Sequence, residues 1–233
     1  MKVLLTGKSS KNIAGQVKNL GFEIVSENPD VVISFGGDGT LLSSERQYPQ
    51  IPKLPIRNDA FYHKCSEHKT DILLKNLLKN SLKIKEYAKL ETTIENHNLY
   101  ALNDFVIRNK EAVHAIRFTV TPINELLIGD GIVISTPLGS TGYFKSITQG
   151  TFLEGFGLAF NNTTEKIEPI IFTKEKKVTF KLIRGHAGLT YDNSHSNYTI
   201  KEGTELTFKL SSQKAKIYEA DSLRCPNCQV IRG

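Results

Sequence analysis

The chain has 233 residues, enough for one large domain or two of roughly 100 residues each. Its composition, 39% hydrophobic and 23% charged, fits a globular protein and carries no signature of disorder. The formal net charge of +6 is spread along the chain, which excludes a basic nucleic-acid arm and suits a pocket for polyanionic small molecules.

Residues 2–6 read as a first strand, too short an apolar run for a signal peptide. No apolar segment approaches the roughly 18 residues of a membrane span. A cytoplasmic protein with neither membrane nor nucleic-acid partners is expected. A helix over 12–20 stops at Gly21, a short strand covers 22–25, and Asn28-Pro29-Asp30 makes a turn. Val31-Val32-Ile33-Ser34-Phe35 then reads as a buried strand of a parallel sheet. It runs into Gly36-Gly37-Asp38-Gly39-Thr40, with a helix expected over 40–47. Three glycines let the backbone turn sharply and approach something closely. The helix start beyond them is an anion site. One carboxylate in such a cradle, Asp38, suits a base for phosphoryl transfer to a hydroxyl. The plainer alternative is a strand–turn–helix corner with Asp as a turn residue.

Pro49, Pro52 and Pro55 make any strand over 51–57 short and marginal. Ile72, Leu73, Leu77 and Leu78 lie at helical spacing, so a helix is expected over 70–82. Beyond about residue 82 the pattern changes to strands: 84–94, a turn at Asn96-His97-Asn98, then 99–102, 105–108, 115–121, 125–128, 131–135, 157–161, 177–183, 189–191, 198–201 and 205–209. Short strands separated by turns argue an antiparallel sandwich or stacked sheets. The expected fold is therefore an α/β domain with a parallel sheet over 1–82, a β-rich, mainly antiparallel domain over 83–220, and a tail over 221–233.

Two further stretches in the β-rich part carry chemistry. Asn103-Asp104, at the mouth of an apolar strand, can hold the two hydroxyls of a ribose; a polar turn is the plain alternative. In Asp130-Gly131-Ile132-Val133-Ile134-Ser135-Thr136-Pro137-Leu138-Gly139-Ser140-Thr141-Gly142-Tyr143, a β-branched run gives way to small and hydroxyl residues, with a short helix expected over 140–146. Such residues let a flat group lie on the backbone while hydroxyls and amides read its edge. The plain alternative is a loop capping a helix.

With these three motifs in this order, the chain resembles the NAD kinase family. The resemblance spans about residues 30–150 by motif. The first motif is shared with phosphofructokinases and with sphingosine and diacylglycerol kinases; the third separates NAD kinases from them. The resemblance implies phosphoryl transfer from ATP or polyphosphate to the adenosine 2′-hydroxyl of NAD, with Mg²⁺ held mainly by the nucleotide. It makes Asp38 the general base and places Gly36, Gly37, Gly39 and Thr40 at the phosphates. Asn103 and Asp104 would hold NAD at the nicotinamide-side ribose, and Thr141, Gly142, Tyr143 and Ser146 would lie at the adenine. Asp130 would reach a neighbouring subunit's ligand in a homodimer or homotetramer. The competing readings are a lipid or sugar kinase of the same superfamily, and a catalytically weak dinucleotide binder.

Departures from the family pattern concentrate in Ile56-Arg57-Asn58-Asp59-Ala60-Phe61-Tyr62-His63, where a glycine-rich segment is usual. Asn58 and Phe61 are left to keep part of its role. Ile128 replaces a basic residue, with Arg57, Lys64, Arg108 or Lys145 available to compensate. Asp192, near a strand end, is a lesser candidate for ligand contact. Cys225-Pro226-Asn227-Cys228 is half a zinc site, to which Cys65 or a histidine could add. A solvated tail is the default expectation, and no protein metal ligands are assigned.

Overall fold

The computed structural model describes residues 1–111, 113–220, 223 and 225–231, with backbone alone for 229 and 230. It divides into two compact units, Met1–Tyr87 with Ala215–Gly233, and Ala88–Lys214.

The first unit alternates strands and helices: β1 (Lys2–Thr6), α1 (Ala14–Asn19), β2 (Glu23–Ile24), β3 (Val31–Phe35), α2 (Asp38–Gln47), β4 (Lys53–Ile56), β5 (Tyr62–His63) and α3 (Thr70–Leu78). β2, β1, β3 and β4 lie side by side and parallel. Every residue of β3 is buried, as its unbroken apolar run requires. Leu73, Leu74 and Leu77 of α3 close the core over Val31, Ile33, Leu54 and Ile56. Helix α3 stops at Leu78, four residues short of the expected end, where Lys79 and Asn80 turn back with φ +50° at Asn80.

β4 is short, as expected, but it is not marginal. It sits between β3 and a second neighbour, and all four residues are buried. Val32 N–H donates to the Pro52 carbonyl and Gly36 N–H to the Ile56 carbonyl, so the even-numbered residues face β3. Pro55 turns its nitrogen the other way. On that side, among the described residues, Ile217 pairs with Lys53.

In the second unit the strands are β6 (Ile84–Ile94), β7 (His97–Ala101), β8 (Asp104–Asn109), β9 (Ile116–Val120), β10 (Leu127–Gly129) and β11 (Gly131–Ser135), then helix α4 (Tyr143–Thr148). There follow β12 (Phe156–Asn161), β13 (Ile170–Phe172), β14 (Lys177–Arg184), β15 (Ala187–Tyr191), β16 (Tyr198–Ile200) and β17 (Glu205–Tyr218). Six of them form an antiparallel sheet in the order β13-β12-β11-β8-β15-β16. A second layer runs β10-β9-β14-β17, with the β6–β7 hairpin on β17. One apolar core joins side chains of both layers, among them Phe105, Ile107, Phe118, Ile134, Phe180 and Phe208. The hairpin turn is Glu95-Asn96, with φ +49° and +64°, rather than Asn96-His97-Asn98. Ile94 pairs with His97, and this two-residue turn matches the twist of the strands.

β17 has 14 residues, extending nine beyond its expected end. Its last residues and the following tail belong to the first unit. There β18 (Gln229–Val230) pairs antiparallel with β5. The Cys225–Cys228 segment is thus not the solvated tail expected: Cys228 is buried and Cys225 partly so. Among the described residues, no helix is long and apolar enough to cross a membrane.

Candidate active site

The glycine loop joins β3 to α2. Its helix begins at Asp38, two residues before the expected start, because the Gly37 carbonyl accepts from the amides of Thr40 (3.0 Å) and Leu41 (3.2 Å). The first turn therefore closes over Asp38 and Gly39. Asp38 stands at the positive end of the helix dipole with its side chain exposed to solvent. At Gly36 a Cβ would stand 2.1 Å from Thr40 Oγ1, so any larger residue would displace that hydroxyl. At Gly37 a Cβ would meet the Tyr62 hydroxyl at 3.7 Å, an ordinary contact distance, so Tyr62 stands beside the loop. The Ser44 hydroxyl anchors the helix from below, donating to the Thr40 carbonyl and bonding Thr6 Oγ1 at 2.7 Å.

The glycine-free segment after β4 is built around a turn. Asn58 is buried; its Oδ1 accepts from the Ala60 amide (3.0 Å) and its carbonyl accepts from the Phe61 amide (3.1 Å). Phe61 is 60% exposed. Lys64 is drawn inward, ion-paired to Asp59 at 2.6 Å and donating to the Arg57 carbonyl and the Thr70 hydroxyl. Arg57 lies 4.1 Å over the Tyr62 ring and donates to the Leu223 carbonyl. Of the four basic residues weighed as substitutes at a phosphate, Arg57 and Lys64 are thus held internally, whereas Arg108 and Lys145 are exposed.

In the second unit, strand pairing brings two of the motifs together. β8 and β11 are antiparallel neighbours with Asp104 opposite Ser135. One residue beyond this pair, the Thr136 amide donates to the Asn103 carbonyl (2.8 Å) and its hydroxyl donates to the Leu102 carbonyl (2.6 Å). Gly139 packs against the same residue: a Cβ there would lie 2.2 Å from the Asn103 carbonyl oxygen. The turn Gly139–Thr141 is a short 3₁₀ helix, and α4 starts after it at Tyr143, so the expected helix over 140–146 is two pieces broken at Gly142. Thr141, Gly142 and Ser146 are exposed and Tyr143 is half-buried. Asp130 is not part of this constellation. The length of β11, roughly 16 Å, separates it from Thr136. It accepts instead from Asn162 Nδ2 (3.2 Å) and Asn109 Nδ2 (3.4 Å).

The residue that shapes the Asn103–Asp104 corner is Asp192, just after β15, the other neighbour of β8. In a left-handed conformation (φ +48°), it folds its carboxylate over the corner. Oδ2 accepts from the Leu102 amide (3.0 Å), and Oδ1 from the amides of Asn103 (2.7 Å) and Asp104 (3.3 Å). Its role is to position backbone. Nothing local in the sequence signals this, because the donors lie about 90 residues earlier. Burial, with Asp192 as a second negative charge, pushes the Asp104 carboxyl up to about 7. Asp192→Ala leaves three amides without their acceptor and is expected to cost about 2–3 kcal/mol, read by urea unfolding. Asp192→Asn keeps a carbonyl acceptor but removes the charge. It should retain more of that stability, with Asp104 titrating lower by NMR.

Among the described residues, one group has ligand atoms close enough to share an ion: Cys65, His68, Cys225 and Cys228.

Comparison with known proteins places the chain. The family profile described as the ATP-NAD kinase C-terminal domain matches residues 102–220. An NAD kinase of Sulfurisphaera tokodaii is 32% identical over 89% of this chain and 88% of its own. One of Limosilactobacillus reuteri is 31% identical over 88% and 85%. Among solved structures, an Archaeoglobus fulgidus NAD kinase crystallised with ATP superposes with a TM-score of 0.75, at 19% identity over 96% of both chains. Yeast NADH kinase with NADH gives 0.74 at 13% identity, over 94% of this chain and 83% of its own. These two share the fold. The sequence relatives, spanning nearly the whole of both chains, together with three motifs in the family's order, show that this chain belongs to the NAD kinase family.

Proposed function

We propose that the chain transfers the terminal phosphoryl group of ATP to the adenosine 2′-hydroxyl of NAD, giving NADP and ADP. The observation that carries this reading is an exposed carboxylate, Asp38, in the first turn of a helix that opens directly from the glycine loop. As the 2′-oxygen bonds to the γ-phosphorus and the bond to the ADP oxygen breaks, the hydroxyl proton passes to Asp38. The amides and dipole of the α2 start favour the phosphates, and Gly36, Gly37 and Gly39 admit them at backbone distance. A divalent ion such as Mg²⁺ would be held mainly by the nucleotide, beside the exposed Asp38, and would supply charge neutralisation. The exposed Asp38 carboxylate fits such a hydrated ion.

Asn103 and Asp104 hold ribose hydroxyls, and the exposed run Thr141, Gly142 and Ser146, with Tyr143, receives the adenine. Thr40 contributes by filling the space beneath Gly36, and Asn58 by shaping the turn beside Tyr62. Asp130 serves a neighbouring copy's ligand in a homodimer or homotetramer.

Asp104 makes NAD binding pH-dependent. Below its folded value of about 7 the carboxyl holds a proton in the free protein and is a poorer acceptor for a hydroxyl. Affinity for NAD should therefore weaken as pH falls from about 8.5 to about 5.5, and Asp104→Asn should flatten that slope in calorimetry. Stability has the opposite sign. The raised value means that the fold binds a proton which the unfolded chain releases near pH 4. The resulting stabilisation is full below about pH 4 and is lost as pH rises through about 7.

The test of the reading is an acceptor panel with Mg²⁺-ATP. ADP release that depends on NAD and yields NADP is expected. Release that depends on a diacylglycerol or a sugar but not on NAD would overturn it.

A further inference from the structure

The four residues Cys65, His68, Cys225 and Cys228 form two matched turns that face one another. Cys65-Ser66-Glu67-His68 closes with His68 N–H donating to the Cys65 carbonyl at 3.1 Å. Cys225-Pro226-Asn227-Cys228 closes in the same way, Cys228 N–H donating to the Cys225 carbonyl at 3.1 Å. A turn of three residues brings positions i and i+3 onto one side, so each offers two ligand atoms to the same point. The spacing, two residues between ligands in both turns, is that of structural zinc sites.

The distances match as well. Cys65 Sγ lies 3.9 Å from Cys225 Sγ and 3.7 Å from Cys228 Sγ. His68 Nδ1 lies 3.1 Å from Cys65 Sγ and 3.3 Å from Cys228 Sγ. All four ligand atoms fall within 4.8 Å of one another. A tetrahedron with zinc–sulfur bonds of about 2.3 Å and a zinc–nitrogen bond of about 2.05 Å has edges of about 3.8 Å between sulfurs and about 3.6 Å from sulfur to nitrogen. The two Cys65 sulfur pairs already stand at that edge, and the His68 contacts with Cys65 and Cys228 need to open by a few tenths of an ångström. His68 and Cys228 are buried, Cys65 and Cys225 partly so, and all three thiols are free. Three soft thiolates with one imidazole select zinc over magnesium or calcium.

We propose that this cluster is a structural zinc site of the Cys₃His type. Four protein ligands leave no position for water or substrate, so the ion acts as a cross-link and takes no part in turnover. It joins positions about 160 residues apart and pins the C-terminal segment to the loop after β4. The backbone there is already laced: β18 pairs with β5, and Ile231 N–H donates to the Phe61 carbonyl at 2.9 Å. β5 carries Tyr62, whose hydroxyl stands beside Gly37. The ion thereby steadies one wall of the glycine loop.

The test is the metal content of the full-length chain, purified without chelator, by plasma mass spectrometry; its readout does not depend on catalysis. About one zinc per chain is expected, surviving dialysis against EDTA and released when a mercurial titrates the thiols. Cys225→Ser with Cys228→Ser should lower occupancy at least tenfold. His68→Cys, which completes a four-thiolate set, should retain the ion, so loss of metal is separable from loss of fold. Cobalt(II) added to the demetallated chain should give thiolate-to-metal absorption and the visible bands of a tetrahedral ion. A chain isolated without zinc that takes up neither zinc nor cobalt would overturn the proposal, as would unchanged zinc in the double serine variant.

Discussion

Asp38→Asn is expected to lower kcat by about 10²–10⁴-fold while leaving the ATP dissociation constant within a few-fold of the parent. The amide matches the carboxylate in shape, and the first turn of α2 is closed by the Gly37 carbonyl rather than by this side chain, so the turn is kept. What is lost is the ability to accept a proton. The nucleotide contacts come from the loop backbone and the helix end, which the substitution does not touch. Steady-state kinetics with NAD and Mg²⁺-ATP, paired with ATP calorimetry, separates the two effects. A variant retaining more than about a tenth of the parental kcat would remove Asp38 from the base role.

Lys53→Met is expected to produce the largest loss of stability, about 3–5 kcal/mol. Lys53 is wholly buried in β4, where its ammonium pairs with Glu45 of α2 and donates to the Tyr48 carbonyl at 2.6 Å. Methionine fills much of the same volume but leaves the Glu45 carboxylate, 2% exposed, without its ammonium. Breaking a buried pair by removing one partner costs far more than replacing both. Lys53→Met with Glu45→Leu should therefore recover part of the loss, which a urea double-mutant cycle measures. A single-variant loss below about 1 kcal/mol would contradict this account. The pair also ties the helix that carries Asp38 at its start to the strand beneath it, so the single variant should lose turnover along with stability.

Some of this was legible in the residues because it is local. The apolar run 31–35 and the β-branched run within 131–135 coincide with β3 and β11 as observed, since strand burial is written in consecutive side chains. The glycine loop was equally plain, because Gly36 is required by an atom four residues away, Thr40 Oγ1. What could not be read is non-local. Pro55 argues against an interior strand until the fold shows that β4 bonds β3 through its even-numbered residues, so that the proline nitrogen faces away from that ladder. Residues 210–218 mix serine, lysine and glutamine, and no local pattern announces that β17 continues through them into the first unit. Asp192 reads as a strand-end carboxylate, and only the fold reveals three amides 88–90 residues upstream as its partners. The Cys225–Cys228 pair is half a site in sequence, and its complement lies about 160 residues away.

The claim on which the rest depends is that the acceptor is a dinucleotide's 2′-hydroxyl and that Asp38 takes its proton. The most direct measurement compares NAD with its analogue lacking the adenosine 2′-hydroxyl, following phosphorus resonances of the product in the presence of Mg²⁺-ATP. The account expects a new phosphomonoester signal and ADP from NAD, and neither from the analogue; a phosphorylated product from the analogue would contradict it.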